Sequence, residues 1–137
     1  TSIAFERHGR GPPLVPLHGS SGTRRSWDAL RPHLTDSFTL YVPDRRGRGD
    51  SGDADAYALA RKVADLRAIV ERVDGEPTVF GHSFGGLITL AAGSTERNAD
   101  LPCRSFTATA SANPPAPSSR GPRAVLSPRR PRTEYQP

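Results

Sequence analysis

Thr78-Val79-Phe80-Gly81-His82-Ser83-Phe84-Gly85-Gly86-Leu87-Ile88-Thr89-Leu90-Ala91-Ala92 is the stretch that decides how this chain folds. A short apolar run, a glycine-rich turn around one serine and an apolar helical segment predict a strand over Thr78–Phe80 and a helix over Phe84–Ala92. The turn spells G-x-S-x-G, followed by one more glycine. A serine on so tight a strand-to-helix turn sits in a strained backbone conformation, where side chains at the flanking positions would collide. Its hydroxyl is lifted out of the sheet beside the helix N-terminus, whose free N–H groups favour negative charge. An ordinary glycine-rich connection is the bland alternative, and the strand before and helix after weigh against it.

Upstream, the pattern repeats. Leu14–Leu17 and Thr39–Val42 are strand candidates, each followed by a turn containing glycine, and Ile3–Glu6 is a candidate edge strand. Leu59, Val63, Leu66, Val70 and Val73 recur every three or four residues and so share one helical face, which predicts a crossover helix. A shorter helix is expected from Ser26, as N-cap, through Trp27, Leu30 and Leu34. Strands alternating with helices give an α/β fold, a parallel sheet with crossover helices. Ser105–Ser111 has mild strand propensity and reads as a further, poorly packed strand. Pro16 conflicts with a central-strand position, because it removes a ladder donor.

The composition sets bounds. With 137 residues, 34% hydrophobic, and one cysteine, Cys103, the chain is neither a disulfide scaffold nor collagen-like. No apolar run reaches the roughly 20 residues that a bilayer crossing needs, so no membrane partner is expected, and the default compartment is the cytoplasm. The formal charge of +5 lies wholly in residues 101–137, where six arginines face only Glu134. Proline is also concentrated there, so the expected division is a folded unit over 1–100 and a disordered Pro/Arg/Ser-rich tail over 101–137. Arginine in such a tail binds phosphate non-specifically, but proline interrupts it and few aromatics accompany it, so no specific nucleic acid is expected. Lys62 is the single lysine among 19 basic residues.

With its flanking elements, Gly81-His82-Ser83-Phe84-Gly85 resembles the nucleophile elbow of the α/β-hydrolase family. Leu17-His18-Gly19-Ser20-Ser21-Gly22 is similar to that family's oxyanion loop, and Asp44-Arg45-Arg46-Gly47-Arg48-Gly49-Asp50-Ser51 to its D-x-R-G-x-G-x-S turn. The resemblance covers about residues 11–93, the first half of a typical member. It implies Ser83 as nucleophile and the backbone amides of Ser20 and Phe84 as oxyanion donors. His18 and Gly19 would shape the loop and Gly81, His82 and Gly85 the elbow, while the Asp44 turn is mainly structural. It implies no cofactor, and a small ester, lactone or amide as substrate; serine at the elbow argues against the epoxide and haloalkane branches, which use aspartate there.

The same resemblance requires an acid and then a histidine after the serine. Here His8, His18, His33 and His82 all precede Ser83, and Glu96, Asp100 and Glu134, the acids after it, follow no convincing late strand. His82, the serine's neighbour on the turn, is expected to point away from the Ser83 side chain. A triad acid and base are therefore absent from this reading, which suggests a truncated or frame-shifted hydrolase. The competing function is a catalytically inactive remnant that at most binds a ligand or partner. Half a sheet also leaves an open edge, which invites self-association.

Gly47, Gly49 and Gly52 spell G-x-G-x-x-G, but no helix starts at the third glycine. Arg48-Gly49-Asp50 spells an adhesion tripeptide without any sign of secretion. No His, Cys or carboxylate cluster has metal-ligand spacing, so no metal is expected. Trp27 reads as core or as a pocket wall.

Overall fold

A computed structural model describes residues 1–53, 55, 57–94 and 102–109. Strands β1 (Phe5–Gly9), β2 (Pro13–Leu17), β3 (Thr39–Pro43), β4 (Thr78–His82) and β5 (Ser105–Thr109) form one sheet in the order β1-β3-β2-β4-β5. Strands β2 to β5 are mutually parallel, and β1 runs antiparallel along β3. Helices α1 (Arg31–Leu34), α2 (Leu59–Val70) and α3 (Phe84–Gly93) and a 3-10 turn over Arg24–Trp27 complete the described elements.

Alternation along the strands separates two apolar faces. Val15, Leu17, Tyr41 and Val79 point to one side, where they bury Leu66, Ile69 and Val70 of α2 and Ile88 and Ala92 of α3. Leu40 and Val42 point to the other and cover Trp27, with Leu14, Leu34 and Phe80 around them. Full burial of a Val, Leu or Ile side chain stabilises by about 1.5–3 kcal/mol, so the more populated α2–α3 face carries most of the cohesion. All five residues of β3 are buried, as expected for a parallel strand covered on both sides.

Pro16 sits in a central strand without breaking it. The Pro12 carbonyl accepts from the Thr39 amide at 3.0 Å. Backbone polar groups alternate sides along a strand, so those of residues 14 and 16 face β3 as well. Pairing of β2 with β3 ends at Leu14 opposite Leu40, so the missing N–H falls beyond that ladder while Pro16 keeps its place opposite Phe80 of β4.

Other expectations shift. The edge strand lies at Phe5–Gly9, set by its register against β3, and not at Ile3–Glu6. The short helix expected from Ser26 is two pieces, and its cap is Thr23, whose hydroxyl accepts from the Arg25 amide. The stretch expected to be poorly packed is a full strand: β5 pairs with β4 along five residues and packs under α3. The sheet thus crosses the boundary expected at residue 100. The coil expected past Asn113 lies outside the described residues.

Candidate active site

The strands β2, β3 and β4 end at one edge of the sheet, and the turns that leave them there carry the chemistry. Ser83, between β4 and α3, has φ 54° and ψ −119°, and among the described residues no other non-glycine has positive φ. Such a conformation costs about 1–3 kcal/mol and persists only where its surroundings impose it. Here they do. The Ser83 amide donates to the Thr109 carbonyl of β5 at 2.8 Å, and its carbonyl accepts from Leu87 at 3.1 Å. A Cβ on Gly85 would lie 2.2 Å from the Leu17 carbonyl oxygen, so only glycine lets α3 start this close to β2. The Ser83 hydroxyl does not cap the helix.

That hydroxyl faces a cavity of about 450 Å³ lined by the 18–22 loop, Trp27 and His82. The loop presses against the elbow, since a Cβ on Gly19 would come within 3.3 Å of the Ser83 Cβ. Neither the Ser20 amide nor the Phe84 amide makes a hydrogen bond among the described residues. Ser20 lines the same cavity as Ser83, and Phe84 follows Ser83 in the chain.

His18 is fully buried beneath this loop. Its Nε2 accepts from the Arg45 amide at 3.1 Å, which leaves Nδ1 to donate to the Gly19 carbonyl at 2.9 Å. Burial, aided by the nearby Arg45 charge, pushes its pKa below the usual histidine range. A neutral imidazole with both nitrogens engaged shapes the loop and is not free to take a proton from Ser83. His82, expected to point away from Ser83, lines the same cavity, its Nδ1 near Gly19. It makes no hydrogen bond to the Ser83 hydroxyl.

Arg45 is a residue that the sequence reading passed over. Its Nε donates to the His18 carbonyl at 3.1 Å, and one terminal nitrogen donates to the carbonyls of Gly19 at 2.6 Å and Ser20 at 3.1 Å. Its guanidinium also lies 5.1 Å from the Phe84 ring centroid. One side chain so draws three successive loop carbonyls to one side. The available signal was an arginine two residues after a strand buried on both faces, where a cation needs several acceptors.

Asp44, in the turn after β3, is fully buried. It accepts from the amides of Arg24 at 2.7 Å and Asp50 at 3.0 Å and from the Arg24 guanidinium. Burial alone would raise its pKa, but those donors together hold it low. Gly49 lets the turn close over the carboxylate, because a Cβ there would fall 2.1 Å from Oδ2. After Gly52 the chain reaches α2 only at Leu59, so no helix begins at that third glycine. Trp27 serves both expected roles: it packs edge-on against Phe80 at 5.7 Å and lines the cavity. Among the described residues no group of three His, Cys, Asp or Glu could hold a metal ion, and no helix is long and apolar enough to cross a membrane.

The family model described as "Alpha/beta hydrolase family" matches residues 14–136. This chain belongs to that family. The match runs on beyond residue 93, where the motif resemblance ends. An alpha/beta hydrolase from Sphaerobacter thermophilus has 44% identity and a TM-score of 0.66, over 74% of this chain and 38% of that one. A pimeloyl-[acyl-carrier protein] methyl ester esterase of Nitrosomonas europaea is 36% identical over 89 residues, 65% of this chain and 34% of the esterase. A soluble epoxide hydrolase of Corynebacterium sp. is 37% identical over 84 residues, 60% of this chain and 29% of that enzyme. The chain thus spans about a third of the length of these curated relatives.

Proposed function

We propose that this chain carries the nucleophile and oxyanion half of a serine hydrolase that acts by acyl transfer on a small ester, lactone or amide. The observation that carries the reading is Ser83, held at φ 54° with its hydroxyl uncommitted beside two free amides. In this reading the Ser83 oxygen attacks the substrate carbonyl carbon, and the carbonyl electron pair moves onto oxygen. The Ser20 and Phe84 amides receive that charge, each worth on the order of 3 kcal/mol in the transition state. Collapse of the intermediate expels the alcohol or amine, and water then releases the acyl group.

The serine proton must go to an imidazole. No histidine follows Ser83 in this sequence, and His18 has both nitrogens engaged. These facts favour a second reading, an inactive scaffold that binds an acyl ligand without turning it over. A serine at the elbow supports esters over epoxides. The basic excess of residues 101–137 adds no specific nucleic-acid partner to either reading.

Hydrolysis of short-chain p-nitrophenyl esters, with and without added imidazole as an external base, separates the two. The proposal expects imidazole to raise turnover by the wild-type chain well above that of Ser83→Ala. Equal rates in both proteins favour the inactive scaffold.

A further inference from the structure

A second cavity, of about 360 Å³, opens on the far side of the oxyanion loop and is lined by Ser20, Arg45, Arg46, Arg48, Lys62 and Phe84, with Tyr57 at its wall. Four cations line it and no carboxylate does. Arg46 is neutralised by a two-point pair with Asp65 at 2.6 and 2.7 Å. Arg45 uses Nε and one terminal nitrogen on loop carbonyls, and Arg48 is exposed.

Lys62 differs from these. It is only 8% exposed, yet no carboxylate pairs with it and no hydrogen bond is made to its ammonium among the described residues. What it has is aromatic faces: Tyr57 at 4.7 Å and Phe84 at 5.9 Å from Nζ. A buried ammonium without a paired carboxylate is costly; Asp65, which acts on it from a distance, is bound to Arg46, and three arginines lie around it. The single lysine of the chain thus stands nine-tenths buried in a cavity that shares Ser20 with the Ser83 cavity.

We propose that this cavity is a binding site for a small oxyanion, a carboxylate or phosphate carried by the ester substrate, with Lys62 as its main contact and Arg45 and Arg48 beside it. The inference rests on the serine-hydrolase reading for its link to Ser83 and narrows the substrate class to esters that bear a negative charge. An anion seated on Lys62 shares its cavity with Phe84, which follows Ser83 in the chain, and with Ser20, which also lines the Ser83 cavity, so the charged group would anchor the substrate at the cavity that adjoins the nucleophile's. Arg45, fixed by the loop carbonyls, lets the same anion tighten the oxyanion loop.

The test is a calorimetric titration of the whole chain at low ionic strength with monomethyl succinate, with its neutral analogue dimethyl succinate, and with inorganic phosphate. The proposal expects one-to-one binding of monomethyl succinate, at least tenfold tighter than dimethyl succinate and weakened by salt. Lys62→Met, which keeps the apolar stem, should lose tenfold or more, and Lys62→Arg should retain most of the affinity. Phosphate binding that competes with monomethyl succinate marks a general oxyanion site, while phosphate that fails to compete assigns it to carboxylates. Equal affinity for the charged and neutral esters overturns the proposal, a comparison that stands even if Lys62→Met fails to fold. So does a folded Lys62→Met that binds as tightly as the wild type. A chain that binds monomethyl succinate but shows no Ser83-dependent turnover keeps the anion site and loses the hydrolase reading, so the two failures are distinguishable.

Discussion

Two glycine-rich turns leave neighbouring parts of the same sheet edge, and they treat their central oxygen atoms in opposite ways. In the Asp44–Ser51 turn the oxygens of Asp44 are engaged: the carboxylate takes two amides and a guanidinium, and the Asp44 carbonyl takes the Ser51 hydroxyl at 2.6 Å. At the Ser83 elbow the backbone is strained, the hydroxyl is uncommitted, and two amides nearby have no partner. The first turn is a structural knot that fixes β1, the 3-10 turn and β3 together. The second stores strain and open valences, which is what a reacting site needs. Composition alone makes the two look alike, a strand followed by glycines and polar residues, and only the resemblance of each motif set them apart.

The largest effect is expected on the structural side. Asp44→Ala leaves the Arg24 and Asp50 amides without their acceptor and the Arg24 guanidinium with Glu6 and Asp50 alone, and each stranded buried donor costs about 1–3 kcal/mol. Denaturant unfolding should show that loss, and a drop below 1 kcal/mol would mean that the turn is less tightly organised than its hydrogen bonds imply. Gly85→Ala should follow, at about 3 kcal/mol, because the new methyl meets the Leu17 and His18 carbonyls at 2.2 and 2.6 Å.

Arg45 sharpens the comparison, since it belongs to the structural turn but holds the loop of the reactive one. Arg45→Met should lower Ser83-dependent ester turnover by about 100-fold through a displaced oxyanion loop, with KM changed far less than kcat. Partial recovery in Arg45→Lys distinguishes positioning from a plain folding defect. Ser83→Gly should move the other way in stability, gaining about 1 kcal/mol as the positive-φ strain is relieved, while all turnover is lost. A destabilised Ser83→Gly would show that the elbow is not strained.

The smallest effect concerns pH. Hydrogen bonds from His8 and Arg24 hold the Glu6 carboxyl at about 2, below its unfolded value of 4.5. A folded pKa below the unfolded one adds stability above the unfolded value, and that stability fades as pH falls from 4.5 toward about 2. The Glu6 side chain is 37% exposed, so water screens the pair and the contribution stays below about 1 kcal/mol. Acid titration of Glu6→Gln against wild type should show the two stability curves converging across that window.

Most of the framework was legible because apolar periodicity reports burial directly. Val79, Leu66 and Val70 fall where the pattern put them, and Thr78–His82 followed by Phe84–Gly93 reproduces the strand-turn-helix that carries Ser83. Misplacements came from tertiary contacts. Phe5–Gly9 is set by its pairing with β3, and Ser105–Thr109 becomes a strand because β4 and α3 offer it a surface. Within the site, the resemblance pointed to Ser83, Ser20 and His18, and all three line one cavity. Arg45 and Lys62 were not, because what marks them is burial without a matching carboxylate, and that appears only when distant parts of the chain meet.

The central claim is that Ser83 stands half-buried on a strained elbow with its hydroxyl uncommitted. Intact-mass labelling of the whole chain with a fluorophosphonate probe, in the presence of imidazole and alongside Ser83→Ala, tests it most directly. The account predicts a single adduct on Ser83 that forms in the wild-type chain and is absent from the variant. A wild-type chain that stays unlabelled, or a Ser83→Ala chain labelled equally fast, would contradict it.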